Sequence, residues 1–308
     1  MPPRVGEEGG SPAPGAGNPD RGLVAWLNDR FLPLAEARVH IEDRGFQFAD
    51  GVYEVVACFG GTFLDLDPHL TRLEYSLEAV AIPMPCSREQ MRARLEELYR
   101  RNPFRDAMLY IQVTRGVAPR AHLVSTPLTP TWVMTARALP LPSDARVAQG
   151  LVGITLPDIR WKRCDIKSIA LLASVLGKQE AQRAGADEAF WVDEEGHLLE
   201  GCATNLLAVI DQVVVTHPLD QRVLGGITRA LALRLAAEAG FAVAERPWRL
   251  DEPGLSECML TSTTNAVMPV CVIDGRPVGD GRPGRVTRRW RAAMIDHLGR
   301  LSAGAGDR

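Results

Sequence analysis

The chain has 308 residues, 46% of them hydrophobic, with 35 basic and 38 acidic side chains and a formal net charge of −3. That length and apolar content support sizeable cores, and the near-neutral balance argues against a nucleic-acid or acidic-membrane partner. No apolar run approaches the roughly 20 residues of a membrane span, the start has no export-type apolar core, and the six cysteines lie far apart without CxxC spacing. They read as reduced thiols, not as a disulfide frame or a metal site, so the expectation is a soluble cytoplasmic protein with no metal.

Residues 1–20 are mostly Gly, Pro, Ala and Glu, with little to bury, and read as a flexible tail. Residues 21–137 read as a small α+β lobe. Val52 to Leu66 suggests a hairpin turning at Gly60-Gly61, and Asp67-Pro68 suggests an N-cap and first helical position. Leu70, Leu73, Leu77 and Val80 mark one face of that helix, a second helix spans Arg88 to Arg101, and a strand spans Met108 to Thr114. The proline-rich stretch 138–149 reads as a linker. Residues 150–300 form the expected larger lobe, with a strand at Leu151 to Leu156 and a helix from about Ser168 to Ala184. Strands at Glu188 to Val192 and Asn205 to Ile210 precede a helix at Ile227 to Gly240. The fold class is α/β.

Only three of the 35 basic residues are lysines, Lys162, Lys167 and Lys178, so amine chemistry is confined to 17 residues. A guanidinium stays protonated and cannot act as an amine nucleophile. Lys167 lies just ahead of the apolar pattern Leu171, Leu172, Val175, Leu176, at the expected helix start, where the helix dipole would depress an ammonium pKa. On position alone an ordinary surface lysine is the commoner reading, and Lys162 and Lys178 read as solvated cations. Gly225-Gly226 ahead of the helix at Ile227 offers free amides for an anion, beside the Thr228 hydroxyl, or is a plain strand-to-helix turn. Thr261-Ser262-Thr263-Thr264-Asn265 could face the same anion or simply form a turn. Arg120 and His122, two apart in extended backbone, could grip one carboxylate or belong to a polar loop. Glu200 could be a turn acid, or could keep a cofactor ring nitrogen protonated.

Taken in order, Glu42-Asp43-Arg44-Gly45-Phe46-Gln47-Phe48-Ala49-Asp50-Gly51-Val52-Tyr53-Glu54, His69-Leu70-Thr71-Arg72-Leu73, Thr114 to His122, Arg163-Cys164-Asp165-Ile166-Lys167-Ser168, Glu200-Gly201 through Thr204-Asn205, Gly226-Ile227-Thr228-Arg229 and Thr261 to Thr264 form a specific series. It resembles the fold type IV aminotransferases that use pyridoxal 5'-phosphate (PLP), most closely those acting on D-amino acids. The resemblance implies two α/β lobes around PLP and a homodimer in which a partner loop helps close the site. It implies that Lys167 holds PLP as a Schiff base, that Glu200 pairs with the ring nitrogen and that Leu224 packs on the ring. Arg72, Ile227, Thr228, Thr263 and Thr264 would bind the phosphate, and Tyr53, Arg120 and His122 the substrate carboxylate. The Arg72 role rests on the resemblance alone, since periodicity leaves that residue off the apolar face. The implied reaction is ping-pong transamination between a D-amino acid and a 2-oxo acid. An (R)-selective amine transaminase, a branched-chain L-amino-acid aminotransferase and, further off, an aminodeoxychorismate lyase share the fold. Two departures stand out: Ala49 where a glycine is usual, and Cys202-Ala203 where serines are usual.

Overall fold

The computed structural model describes residues 20, 22–124 and 126–303; the expected tail lies almost wholly outside them. The first half is a six-stranded antiparallel sheet in the order β2-β1-β6-β5-β3-β4. Its strands are β1 (Val24–Leu27), β2 (Arg30–Pro33), β3 (Gly51–Phe59), β4 (Thr62–Phe63), β5 (Asp106–Thr114) and β6 (Thr131–Ala138). Gly60 and Gly61 take positive φ (57° and 95°) and turn β3 into β4, where a side chain would be strained. The short helix α1 (Arg44–Phe48) leads into β3, while α2 (Leu66–Ala79) and α3 (Arg88–Arg100) cover the sheet. Leu70, Leu73 and Leu77 of α2 and Met91, Leu95 and Leu98 of α3 are buried in one core against Val52, Val56, Leu109 and Ile111 of the strands.

Two helix starts differ from the sequence expectation. Helix α2 begins at Leu66, capped by Asp65 in left-handed conformation, so Asp67 and Pro68 lie inside its first turn. Proline is tolerated there because the first-turn amides have no intrahelical acceptor. The second difference concerns α5 (Leu172–Arg183), which begins at Leu172, not near Ser168. Residues 164–170 are irregular because their backbone groups are engaged elsewhere, as shown below. Within the proline-rich stretch, Asp144–Gln149 forms a short helix, α4, capped by the Ser143 hydroxyl.

The second sheet has nine strands: β7 (Leu151–Pro157), β8 (Glu188–Val192), β9 (Leu198–Gly201), β10 (Asn205–Ile210), β11 (Val213–Thr216), β12 (Val243–Glu245), β13 (Leu255–Ser262), β14 (Ala266–Ile273) and β15 (Arg276–Pro277). Its path runs β12-β11-β10-β13-β14-β7-β8-β9, and β9 pairs back onto β10 through Glu200 and Asn205, closing six strands into a ring. Helices α6 (Ile227–Glu238) and α7 (Arg285–Ala303) pack on it. Their buried residues Leu231, Leu235, Trp290 and Met294 share a core with Ala57, Phe59 and Leu64 of the first sheet, which joins the two halves. Among the described residues no helix is long and apolar enough to cross a membrane.

Ala49, the C-cap of α1, adopts φ 55° and ψ 30°, the left-handed conformation that a glycine takes without a Cβ clash. Ala49→Gly should therefore stabilise the protein, by about 0.5–1 kcal/mol after the extra unfolded-state entropy of glycine is subtracted. Thermal unfolding at matched protein concentration would show a raised midpoint; an unchanged or lower one counts against strain at this turn.

Candidate active site

The segment after β7 leaves the second sheet and docks along β3 of the first. Cys164 N donates to Gln221 O (2.8 Å), Lys167 N to Ser76 Oγ (3.2 Å), Tyr53 N to Lys167 O (2.9 Å) and Ile169 N to Gly51 O (3.1 Å). These bonds withdraw residues 164–169 from any helix and fix Lys167 at the seam. Its Nζ lies 4.3 Å from the centre of the Tyr53 ring. Burial first, and then the nearby Arg72 charge, pull the Lys167 amine down to about 8. The helix dipole invoked from the sequence has no part in this, because α5 starts five residues later.

Lys167 opens on a cleft lined by residues of both sheets. One wall carries Glu200, whose Oε2 accepts from Asn205 Nδ2 and Leu224 N (each 3.0 Å) and whose Oε1 pairs with Arg160 Nη1. Burial pushes the Glu200 carboxyl above its usual range, while Arg160 and the Leu224 amide oppose that shift. Leu224 lines the same wall, and Tyr53, whose phenol burial drives up to about 12, lines the cleft from β3.

Another part of the lining is rich in donors. Gly226 caps α6, and its missing Cβ matters: a side chain there would meet Asn205 Oδ1 at 1.9 Å. Ile227 and Thr228 open the helix with amides that have no intrahelical acceptor. Thr261, Ser262 and Thr263 join them, and the Thr261 hydroxyl is buried with no hydrogen-bond partner among the described residues. Arg72 is largely buried and faces the cleft. Its Nε and Nη2 clasp Glu54 (2.7 and 2.9 Å), and its Nη1 donates to Gly225 O (2.7 Å). Buried Glu54 also meets His69 Nδ1 at 2.7 Å. Burial alone would raise Glu54; the Arg72 charge and hydrogen bonds, with His69, hold it instead at about 2.

An orphaned hydroxyl, helix-start amides and a guanidinium form a cradle for a phosphate dianion. With a buried carboxylate for a ring nitrogen and a depressed amine on the same cleft, the donor set fits PLP. A family model for amino-transferase class IV matches residues 51–273. The chain belongs to the amino-transferase class IV family.

It is 41% identical to the D-alanine aminotransferase of Bacillus licheniformis, over 88% of this chain and 96% of that one. It is 37% identical to the D-alanine aminotransferase of Listeria monocytogenes serotype 4b (88% and 95%) and 35% identical to that of Staphylococcus aureus strain MSSA476 (89% and 97%). Among solved structures, the branched-chain amino acid aminotransferase of Escherichia coli superposes with a TM-score of 0.83 at 23% identity, over 90% of this chain and 95% of that one. The T.th. branched-chain amino acid aminotransferase with pyridoxamine 5'-phosphate gives 0.83 at 26% identity (90% and 94%). The chain is a fold type IV, PLP-dependent aminotransferase.

In this aminotransferase, Lys167, Tyr53, Arg72, Glu200, Leu224, Ile227, Thr228 and Thr263 all line one cleft. Arg72, which periodicity left off the apolar face, is drawn inward by Glu54. Thr264 does not line the cleft: it is exposed, with its hydroxyl against Ser262 Oγ (3.3 Å). Thr261, buried near the end of β13, lines the cleft, whereas Thr264 lies beyond that strand. Arg120 and His122 do come together, both against Phe48 (4.6 and 5.5 Å), but they are exposed and outside the lining of this chain's own cleft. Lys178 is more than a solvated cation: it pairs with buried Glu188 at 2.9 Å. Cys202 lines the cleft with its thiol toward Ala189 O (3.6 Å).

Glu54, Arg160 and Asn205 received no role from the sequence. A lone acid within the apolar run Val52–Phe59 was the available signal for Glu54; nothing local marked Arg160, whose partner Glu200 lies 40 residues away. Competitive acetylation of the cofactor-free protein should titrate Lys167 with a pKa of about 8. A value near the ordinary 10.5 would contradict the desolvated environment.

Proposed function

We propose that this aminotransferase exchanges an amino group between D-amino acids, such as D-alanine or D-glutamate, and 2-oxo acids, such as 2-oxoglutarate or pyruvate, as a cytoplasmic homodimer. The observation that carries the catalytic part is the convergence of Lys167, Tyr53 and Glu200 on one cleft with a phosphate cradle. The D-amino-acid part is supported by relatives named D-alanine aminotransferase at 34–41% identity and by the Arg120-Ala121-His122 element.

Bound PLP supplies a carbonyl that accepts the amino group and a ring that draws electrons away from the substrate Cα. Lys167 would hold the cofactor through Nζ, and the same amine, when free, would be a base that moves a proton between the substrate Cα and the cofactor carbon that accepts the amino group. Glu200, braced by Arg160, Asn205 and the Leu224 amide, would keep a proton at the ring nitrogen. Arg72, the Ile227 and Thr228 amides and the Thr261 and Thr263 hydroxyls, which line the cleft, would hold the phosphate, and Leu224 would pack on the ring. Two substrates using one amine in turn give ping-pong kinetics.

Arg120 and His122 act on the substrate carboxylate across the dimer, together with Tyr53. Supporting this, Arg44 donates to the Ala121 and His122 carbonyls, tying their loop to a surface where Ile41, Phe46 and Leu123 are 75%, 77% and 82% exposed. Such a cluster on a soluble chain calls for a partner surface.

Loss of the cofactor absorbance, followed in parallel with D-amino acids, L-amino acids and (R)-amines, tests the substrate class. D-alanine and D-glutamate should react fastest. Preference for branched-chain L-amino acids or for (R)-amines would overturn the reading, as would pyruvate release with no amino acceptor. For the dimer, Lys167→Ala and Arg120→Ala should each be inactive on D-alanine, yet mixing them with subunit exchange should restore activity, because a hybrid holds one intact site. No recovery in verified hybrids would refute the contribution across the interface.

A further inference from the structure

Arg291 lies on α7 next to Trp290, which is buried in the core between the two sheets. Arg291 is only 7% exposed, and among the described residues no carboxylate lies within ion-pair distance of it. Its partners are carbonyls alone: Nη1 donates to Asn265 O (3.0 Å) and Val267 O (2.6 Å), and Nη2 to Pro142 O (3.2 Å). A buried cation whose acidic neighbour, Asp144, lies beyond ion-pair distance is costly, and an apolar side chain would fill the same place at less cost, so packing does not account for it.

The two carbonyls on Nη1 flank Ala266, which sits in left-handed conformation (φ 54°) at the turn from β13 to β14. On its cleft side the same hairpin presents Thr261, Ser262 and Thr263. A turn that aims donors at an anion leaves carbonyls facing away, and buried carbonyls need a donor. Arg291 receives them and, through Pro142, anchors the turn to the segment that connects the two sheets.

We propose that Arg291 is a positioning residue that fixes the β13–β14 turn in the shape that grips the cofactor phosphate, an inference that rests on the PLP reading above. Its test compares PLP with pyridoxal, which lacks the phosphate, binding to full-length cofactor-free protein. Arg291→Met should weaken PLP binding by about tenfold or more, with pyridoxal binding changed less than about twofold. Arg291→Lys should fall between, because one ammonium cannot span all three carbonyls as the guanidinium does. Equal losses for the two ligands would mean a general packing defect, and an unchanged PLP affinity would mean no role; either overturns the proposal. If Arg291→Met does not fold, the PLP-to-pyridoxal ratio for Arg291→Lys decides the question. A wild-type protein that binds neither ligand would overturn the PLP reading itself.

Discussion

The hydrogen bond from Tyr53 N to Lys167 O is the joint on which the site depends. It draws a segment that begins on the second sheet onto the edge of the first, so that a strand from each half faces one cleft. Its neighbours, from Lys167 N to Ser76 Oγ and from Ile169 N to Gly51 O, leave the lysine little freedom to drift. Without this crossing, Lys167 would continue into α5 as an ordinary helix-start lysine. With it, the amine is buried beside Arg72 and holds its proton less tightly than an ordinary lysine.

Among the described residues, Glu200 in the cleft and Glu54 behind Arg72 are each compensated. Glu54 is held ionised by Arg72 and His69, and in return it keeps the Arg72 guanidinium turned toward the α6 N-terminus and the Gly225 carbonyl. Glu200 is held by Arg160 and by two N–H donors. Lys167 has no carboxylate in ion-pair range among the described residues, and that is why its amine is the group available for chemistry. Ring closure of the second sheet is part of the same arrangement, because the pairing of Glu200 with Asn205 brings both side chains to the rim of the cleft.

Much of this was legible locally. The hairpin at Gly60-Gly61, the helix at Arg88, the glycine pair before α6 and the lysine scarcity all follow from short-range rules of turns, caps and amine chemistry. Helix starts at Asp67 and Ser168 were misplaced because local patterning cannot see that Asp65 takes a left-handed cap, or that residues 164–169 give their backbone groups to another strand. The apolar residues of the helical pattern, Leu171, Leu172, Val175 and Leu176, are all exposed on this chain.

The sequence by itself determined the family, the amine and the order of the site motifs, because those depend on residue identity and spacing. Only the tertiary structure decided which hydroxyl faces inward, that Arg72 and Arg160 are held by Glu54 and Glu200, and that Arg120 and His122 stand outside their own chain's cleft. These features depend on contacts between residues 18, 40 or more positions apart, whose energies follow from burial and distance and leave no periodic trace in the chain.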